Sequence, residues 1–132
     1  MSKPWPDTPI AFAINVSGIP RRASRRIVLT ACGVNFFGLP ACTTAGPARL
    51  GARTGVPLVP AFLVRQGESD QHRLIVFPDI ELAQTGNREA DIVTNTQRCS
   101  DVVERVLREY PDQWIWFHRR WRTRPEGEPE FY

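Results

Sequence analysis

The chain has 132 residues, of which 42% are hydrophobic and 23% charged, which is the length and composition of one globular domain with a modest core. The formal net charge is +3, and the basic excess lies in residues 1–35, which carry five basic side chains against one acidic side chain. No hydrophobic run reaches the roughly 18 residues that span a bilayer, and the first residues lack the pattern of a signal peptide, so neither a membrane-spanning nor a secreted class is expected.

The cysteines exclude a disulfide framework and a zinc site as first hypotheses. There are three of them (Cys32, Cys42 and Cys99), and no two form a Cys-x-x-Cys pair. An odd number without metal-site spacing is typical of reduced thiols in a cytoplasmic setting. Glycine-rich phosphate loops are absent as well, so the sequence predicts no cofactor and no metal.

The first third of the chain predicts two short strands that flank a basic run. Residues 10–16 are mostly apolar and end at Ser17-Gly18, which is typical of a buried strand followed by a turn. Residues 21–26 (RRASRR) are most simply a solvated loop, with contact to lipid phosphates or nucleic acid as the alternatives. Residues 27–32 predict a second strand.

The next segment predicts a short helix. Thr43 or Thr44 can cap its start, and Gly55 can end it in the left-handed conformation. Amides and hydroxyls at such a start also suit an anionic group, although capping is the simpler role for at least one of the two threonines.

Two strands are predicted after this helix. Residues 56–65 are nearly all apolar, as in a strand buried on both faces, with Pro57 at its start and Pro60 at a bulge or bend. Residues 72–78 predict the next strand, and the six-residue polar connection predicts an antiparallel hairpin. The longest predicted helix follows, over residues 88–110, and its apolar stripe has a spacing of three and four residues. The stripe consists of Ile92, Thr96, Cys99, Val103, Val106 and Tyr110.

The end of the chain is rich in tryptophan and arginine. Three of the four tryptophans and four arginines lie within residues 110–125. Pro111 can open a helix here, on which Trp114, Phe117 and Trp121 form one aromatic stripe. Aromatic rings beside guanidinium groups suit a boundary that is apolar on one side and anionic on the other, and a core helix with a solvated basic end is the alternative.

Three stretches of this sequence resemble one family. Residues 113–125 (QWIWFHRRWRTRP) resemble the C-terminal signature of bacterial lipid A biosynthesis acyltransferases, the late acyltransferases of the lysophospholipid acyltransferase superfamily. Residues 33–50 (GVNFFGLPACTTAGPARL) resemble the family's Phe-Phe-Gly segment. Val-Pro-x-x-Pro at residues 56–60 is similar to a superfamily motif beside the acyl-transfer cleft. The resemblance implies an α/β fold, namely a partial lysophospholipid-acyltransferase-like mixed sheet packed by helices.

The resemblance also implies a reaction and its partners. The family moves a fatty acyl group from acyl carrier protein to a lipid A precursor at the cytoplasmic face of the bacterial inner membrane, so an anionic membrane surface is an expected partner and nucleic acid is not. Membrane-interface residues are expected at Trp114, Trp116 and Trp121. The residues expected to bind substrate are Thr43, Thr44, Arg119, Arg120, Arg122 and Arg124.

The catalytic motif of the superfamily is missing from this sequence. That motif is His-x4-Asp/Glu, in which an acid orients the histidine that takes the acceptor's proton. His72 is followed at this spacing by Phe77, and His118 by Thr123. No catalytic residue is therefore predicted, and we expect a truncated, inactive form of the enzyme. The alternatives are a non-catalytic remnant that binds anionic membrane or a partner and, less favoured, a small nucleic-acid binder.

The expected organisation follows from where the resemblance begins and ends. Residues 1–32 are expected to be an unmatched basic segment, because they lack the family's Asp-Gln stretch and its membrane-anchoring helix. Residues 33–127 are expected to form the C-terminal part of the acyltransferase-like domain, and residues 128–132 a loose tail.

Overall fold

A computed structural model describes residues 11–15, 31–116, 119–122, 127, 129 and 131. Over these residues the chain is mixed α/β, with two small antiparallel sheets and two α-helices. The elements in chain order are β1 (Ala11–Asn15), β2 (Ala31–Phe36), β3 (Leu39–Thr44), α1 (Gly46–Thr54), β4 (Val59–Arg65), β5 (His72–Val76), α2 (Arg88–Glu109) and a 3₁₀ turn at Pro111–Gln113.

The larger sheet has the strand order β1-β4-β5. Its centre, β4, alternates between fully buried and half-buried residues, and Phe62 and Val64 are among the buried ones. The predicted strand at residues 56–65 is confirmed from Val59 onward, and the predicted antiparallel hairpin with β5 is confirmed. The first predicted strand (residues 10–16) is confirmed as β1 over Ala11–Asn15.

Pro60 lies in a regular part of β4, so the predicted bulge is wrong. It pairs one-to-one with Ile14 of β1. Its carbonyl accepts from the Phe77 amide at 3.0 Å, which is the last bond on the β5 side of the strand. Proline has no amide N–H to donate. Because Pro60 lies at the end of the β4–β5 ladder, few inter-strand hydrogen bonds are lost there.

The smaller sheet is the β2–β3 hairpin, which the sequence reading did not predict. Its two-residue turn has positive φ at both Phe37 (51°) and Gly38 (77°), as in a type I′ turn whose twist matches the strands it joins. The predicted strand at residues 27–32 overlaps β2 only at residues 31–32, and residues 27–30 lie outside the described part of the chain.

Helix α2 confirms the predicted long helix and holds the hairpin. Ile92, Thr96, Cys99 and Val106 of the predicted stripe are buried. The carboxamide of Gln97 bonds to both main-chain groups of Asn35, at 2.7 and 2.9 Å. The central cluster joins this helix to the strands, and it consists of Phe36, Ala41, Phe62, Val106 and Leu107.

Helix α1 begins later than the threonine caps predicted. Its N-cap is Ala45, which makes no side-chain capping bond, and neither Thr43 nor Thr44 occupies the cap position. Thr44 is still close, since its Oγ1 accepts from the Gly46 amide at 3.4 Å. Gly55 ends the helix at φ 69° with its amide bonded to the Gly51 carbonyl, as predicted.

The predicted C-terminal helix is wrong over the residues described here. A 3₁₀ turn forms at Pro111–Gln113, Trp114 is extended (φ −102°, ψ 143°), and Trp116 is again in 3₁₀ conformation. Other bonds take the place of the helical ones: the Trp116 indole donates to the Pro111 carbonyl at 2.6 Å, and its amide donates to the Trp114 carbonyl at 2.9 Å. The predicted stripe is therefore not a helical one, and its middle member, Phe117, lies outside the described residues.

Candidate functional site

The C-terminal segment begins by docking on the end of β4. The Arg65 amide donates to Oε1 of Gln113 at 2.8 Å, and Nε2 of Gln113 donates to the Arg65 carbonyl at 3.0 Å. A side-chain amide has one donor and one acceptor at the spacing of a peptide group, so it can replace a strand neighbour. This pair places the segment at residues 110–125 (the arginine–tryptophan segment) beside β4, which begins within the Val-Pro-x-x-Pro sequence.

The centre of the candidate site is the contact between Arg120 and β3. The Arg120 guanidinium donates to the Cys42 carbonyl at 2.8 Å and to Oγ1 of Thr43 at 2.5 Å. Its Cζ lies 4.9 Å from the centroid of the Phe36 ring. Burial lowers the pKa of Arg120, with a smaller opposing effect from Cys42. Arginine stays charged nonetheless, so the site holds a half-buried cation paired with neutral oxygens.

Aromatic rings surround this contact and connect it to the core. Trp121 lies 5.8 Å from Phe36, and Trp116 lies 6.0 Å from Phe37, between ring centroids. Trp121 is half-buried against the central cluster. Its indole N–H is buried and has no hydrogen-bond partner in the described part of the chain. Such a donor is unusual in a folded protein and suits a site that receives an acceptor.

The three tryptophans expected at a membrane interface differ in exposure. Trp114 and Trp121 are half-buried and pack against the central cluster. Trp116 is the most exposed, at 47%.

The remaining residues expected to bind substrate lie around the contact rather than in it. Thr44 is exposed and turns towards the start of α1. Arg119 and Arg122 are exposed in one turn, in which the Arg122 amide donates to the Arg119 carbonyl at 2.9 Å. Arg124 lies outside the described residues. The structure thus brings Arg120 and Thr43 together and leaves Thr44, Arg119 and Arg122 at the surface.

No histidine in the described part of the chain contacts the Arg120–Thr43 pair. His72 is exposed on β5, where its Nδ1 lies 3.1 Å from the Asp70 carbonyl, and His118 lies outside the described residues. Cys99 is buried, and burial, followed by the charge of Asp101, raises the pKa of its thiol to about 11. It is therefore a poor nucleophile near neutral pH. In the part of the chain that the structure describes, no three His, Cys, Asp or Glu side chains are grouped to hold a metal ion.

Sequence reasoning missed two side chains that hold the site in shape. Glu104 accepts from the Phe37 amide at the hairpin turn (2.7 Å) and from Arg108, and Gln113 holds Arg65 as described above. Both act across more than 40 residues of sequence, a distance at which periodicity gives no signal. The four-residue spacing of Glu104 and Arg108 predicts only an ion pair on the helix surface.

Comparison with known proteins identifies the family. The family model for the bacterial lipid A biosynthesis acyltransferases matches residues 25–123 of this chain. The chain belongs to this family. The match begins eight residues before Gly33, within the segment expected to be unmatched, and it includes the Arg120–Thr43 contact and both residues of the hairpin turn.

Curated relatives include lipid A acyltransferases of two bacteria. The chain is 34% identical over 92 residues to the lipid A biosynthesis lauroyltransferase of Escherichia coli K12, which covers 70% of this chain and 29% of the relative. It is 30% identical over 90 residues to the lipid A biosynthesis palmitoleoyltransferase of the same strain and to a lipid A biosynthesis acyltransferase of Shigella flexneri, in each case covering 68% of this chain and 28% of the relative. The matched part is thus less than a third of the length of these lipid A acyltransferases.

No helix within the described residues of this lipid A acyltransferase family member is both long and apolar enough to cross a bilayer.

Proposed function

We propose that this chain forms the acceptor-facing and membrane-facing part of a lipid A acyltransferase. The proposed unit is residues 33–127, arranged on a lysophospholipid-acyltransferase-like mixed sheet, with residues 1–32 as a separate basic segment and 128–132 as a tail. The reaction it serves is transfer of a fatty acyl group from acyl carrier protein to a lipid A precursor at the cytoplasmic face of the inner membrane. The relatives named as lauroyl- and palmitoleoyltransferases support an acyl-transfer function.

The observation that carries the proposal is the bond between Arg120 and Thr43. It joins the C-terminal arginine–tryptophan segment to the hairpin with the Phe-Phe-Gly sequence, 77 residues earlier. The two stretches that most resemble the family therefore pack as one unit. A charge-assisted hydrogen bond in a half-buried position is stronger than a neutral one, so it fixes the segment against β3.

Each expected site residue has a proposed role in this unit. Arg120 positions Thr43, which lines the cleft with Thr44, and it completes the basic surface. Arg119, Arg122 and Arg124 bind lipid phosphates, because a guanidinium fork matches phosphate oxygens in a bidentate way. Trp114, Trp116 and Trp121 form the apolar side of the interface, where amphipathic rings are favoured.

We propose further that the chain alone does not turn over substrate. The support is the spacing of its two histidines, neither of which is followed five residues later by an acid. This same observation favours a second candidate function, binding of anionic membrane or of a partner without catalysis. Both functions require the basic surface, and only the first requires acyl transfer.

A vesicle-flotation experiment tests the shared requirement. Phosphatidylglycerol vesicles should carry the wild-type chain, and Arg119→Gln/Arg122→Gln should reduce the partition coefficient by about 30-fold, because each arginine near an anionic surface contributes about 1 kcal/mol. Arg105→Gln is the matched control, since Arg105 is also exposed but lies on α2 over Phe77. Equal flotation of the double variant and the wild type would contradict the proposal, and so would a preference for single-stranded DNA over vesicles.

An acyl-transfer assay tests whether the chain alone turns over substrate. Acylated carrier protein and a lipid A precursor are incubated with the 132-residue chain, and the lipid product is measured by mass spectrometry. We expect no product above the protein-free background. Product that depends on the chain would reject the non-catalytic reading and show that a base outside the superfamily motif acts here.

A further inference from the structure

A second basic site lies away from the Arg120–Thr43 contact. A cleft of about 530 Å³ opens between α1, the loop at residues 83–87 and the first turn of α2. None of its lining residues takes part in the contact described above. Its charged and polar lining is Arg49, Arg53, Gln84, Arg88 and Asp91.

The cleft has more positive charge than its own acids can balance. Three arginines and one carboxylate line it, and that carboxylate is occupied: Asp91 accepts from the Thr85 amide at 3.0 Å and from the Thr85 hydroxyl at 2.8 Å. The only ion pair of Arg49 among the described residues is with Glu89, at 3.9 Å. The Glu89 side chain is 79% exposed. An exposed pair at this distance contributes little. Within the described residues, Arg53 and Arg88 form no ion pair.

The walls of the cleft are fixed by contacts that need no ligand. Asn95 is fully buried and clamps the loop, since it accepts from the Ala83 amide at 2.7 Å and donates to the Ala83 carbonyl at 3.1 Å. Gly51 lets α1 approach the same segment, because a Cβ at this position would lie 2.7 Å from Cδ1 of Leu82. The main chain on both sides of the cleft is therefore held by packing and hydrogen bonds, which reduces the main-chain entropy lost on binding.

Two features of the cleft are unfavourable without an anion. Nε of Arg49 is buried and has no hydrogen-bond partner in the described part of the chain. Arg88 is the first residue of α2, where the helix dipole presents partial positive charge that Glu89 and Asp91 of the same turn offset in part. A bound anion would supply an acceptor for the first and neutralise the second.

We propose that this cleft binds a phosphate monoester, held by Arg49, Arg53 and Arg88 at the start of α2. Phosphate is the chemistry that fits, because three arginines line one cleft and a tetrahedral dianion can accept from more than one guanidinium fork. The site is independent of the proposed acyl-transfer function.

The test is a titration of the ¹⁵N-labelled chain with inorganic phosphate, with chloride adjusted to keep ionic strength constant. The amides of residues 49–53 and 83–88 are expected to shift saturably, with a dissociation constant on the order of 1 mM. Arg53→Gln/Arg88→Gln is expected to weaken binding by about 10-fold or more, since two charge-assisted bonds are lost. Both side chains are exposed, so the variant is expected to keep the wild-type far-ultraviolet circular dichroism. Arg105→Gln is the control and should bind as the wild type does.

Two results would overturn the phosphate site. One is the absence of saturable shifts in the cleft of the wild type. The other is an unchanged dissociation constant in Arg53→Gln/Arg88→Gln. Neither result affects the flotation of Arg119→Gln/Arg122→Gln, so this proposal and the proposed function fail separately.

A vesicle arm distinguishes a lipid headgroup from a soluble phosphate as the source. Vesicles of phosphatidylcholine with phosphatidic acid are tested against Arg119→Gln/Arg122→Gln, in which the cleft is intact. The site is assigned to a lipid headgroup if two results are obtained. Flotation is lost when Arg53→Gln/Arg88→Gln is added, and inorganic phosphate reduces it by competition. Binding of inorganic phosphate and of glucose 1-phosphate without this flotation assigns it to a soluble phosphorylated molecule.

Discussion

Gln113 makes both hydrogen bonds that a strand neighbour of Arg65 would make, at 2.8 and 3.0 Å. The bonds extend β4 beyond its last pair with β1, which joins Ala11 to Leu63. A single side chain thereby attaches the C-terminal segment to the central strand of the larger sheet. The position of the arginine–tryptophan segment depends on this attachment as well as on Arg120.

Replacing Gln113 should therefore destabilise the whole domain. Gln113→Ala removes two half-buried hydrogen bonds and leaves both main-chain groups of Arg65 without a partner, for a loss of about 2 kcal/mol in the free energy of unfolding. Urea denaturation followed by tryptophan fluorescence measures it. Gln66→Ala, at an exposed turn position, is the matched control and should change stability by less than about 0.5 kcal/mol. Equal midpoints for the two variants would show that the amide bonds contribute nothing.

The Arg120–Thr43 bond should appear as a coupling energy. In a double-mutant cycle with Arg120→Gln and Thr43→Val, we expect a coupling of about 1–2 kcal/mol, because the bond is charge-assisted and half-buried. Unfolding free energies of the four proteins provide the measurement. The same cycle on Arg122 and Thr44, both exposed, should give a coupling near zero. Strictly additive effects at Arg120 and Thr43 would contradict the geometry.

The hairpin turn should tolerate asparagine better than alanine at Gly38. A Cβ there meets nothing within 4 Å, so the effect of a substitution is conformational and not steric. At φ 77°, Gly38→Ala should destabilise by about 1 kcal/mol, and Gly38→Asn by less, since asparagine adopts the left-handed region more readily. Thermal melts of the two variants side by side test this order. A reversed order would argue against a type I′ turn.

Cys99 should react with alkylating agents far more slowly than Cys42. Burial raises the pKa of the Cys99 thiol from 9.0 to about 11, which lowers its thiolate fraction about 100-fold at pH 8, and the side chain is also inaccessible. Cys42 is only half-buried. Iodoacetamide labelling at pH 8, followed by peptide mass spectrometry, should modify Cys42 before Cys99 in the native chain. The two should label at similar rates in urea, and equal rates in the native chain would contradict the burial of Cys99.

The same pKa predicts a loss of stability at high pH. The folded-state pKa of Cys99 lies above the unfolded one, so its contribution is complete below about pH 9 and is lost as the pH rises through about 11. The free energy of unfolding should fall over this window in the wild type. In Cys99→Ala the fall should be smaller, and an identical fall in both proteins would assign it to other groups.

The sequence predicted best where structure is local and periodic. Helix α2, its buried stripe and the β4–β5 hairpin follow from spacing alone, and Gly55 ends α1 because glycine is favoured in the left-handed conformation. The C-terminal helix was predicted from the same kind of pattern and is wrong over the residues that the structure describes, where Trp114 is extended. There the carboxamide of Gln113 bonds to Arg65, 48 residues earlier, and no local pattern contains that partner.

The candidate site was predicted in its residue types but not in its arrangement. Arg120 and Thr43 were both expected to bind substrate, and their mutual hydrogen bond depends on the β2–β3 hairpin. The hairpin was not predicted because phenylalanine is rare at the first position of a type I′ turn, where Phe37 has a φ of 51°. Its ring packs on Phe36 and lies under Arg108, contacts that favour phenylalanine here over the usual asparagine.

Hydrogen–deuterium exchange with and without vesicles tests the central claim most directly. Added phosphatidylglycerol vesicles should slow exchange at the amides of residues 114–116 and 119–122 and at the Phe37–Gly38 turn, while phosphatidylcholine vesicles should leave these amides unchanged. The middle of α2 should exchange alike in both. Protection that is absent from the arginine–tryptophan segment, or that appears equally with uncharged vesicles, would contradict the claim that this segment and the hairpin together face an anionic lipid surface.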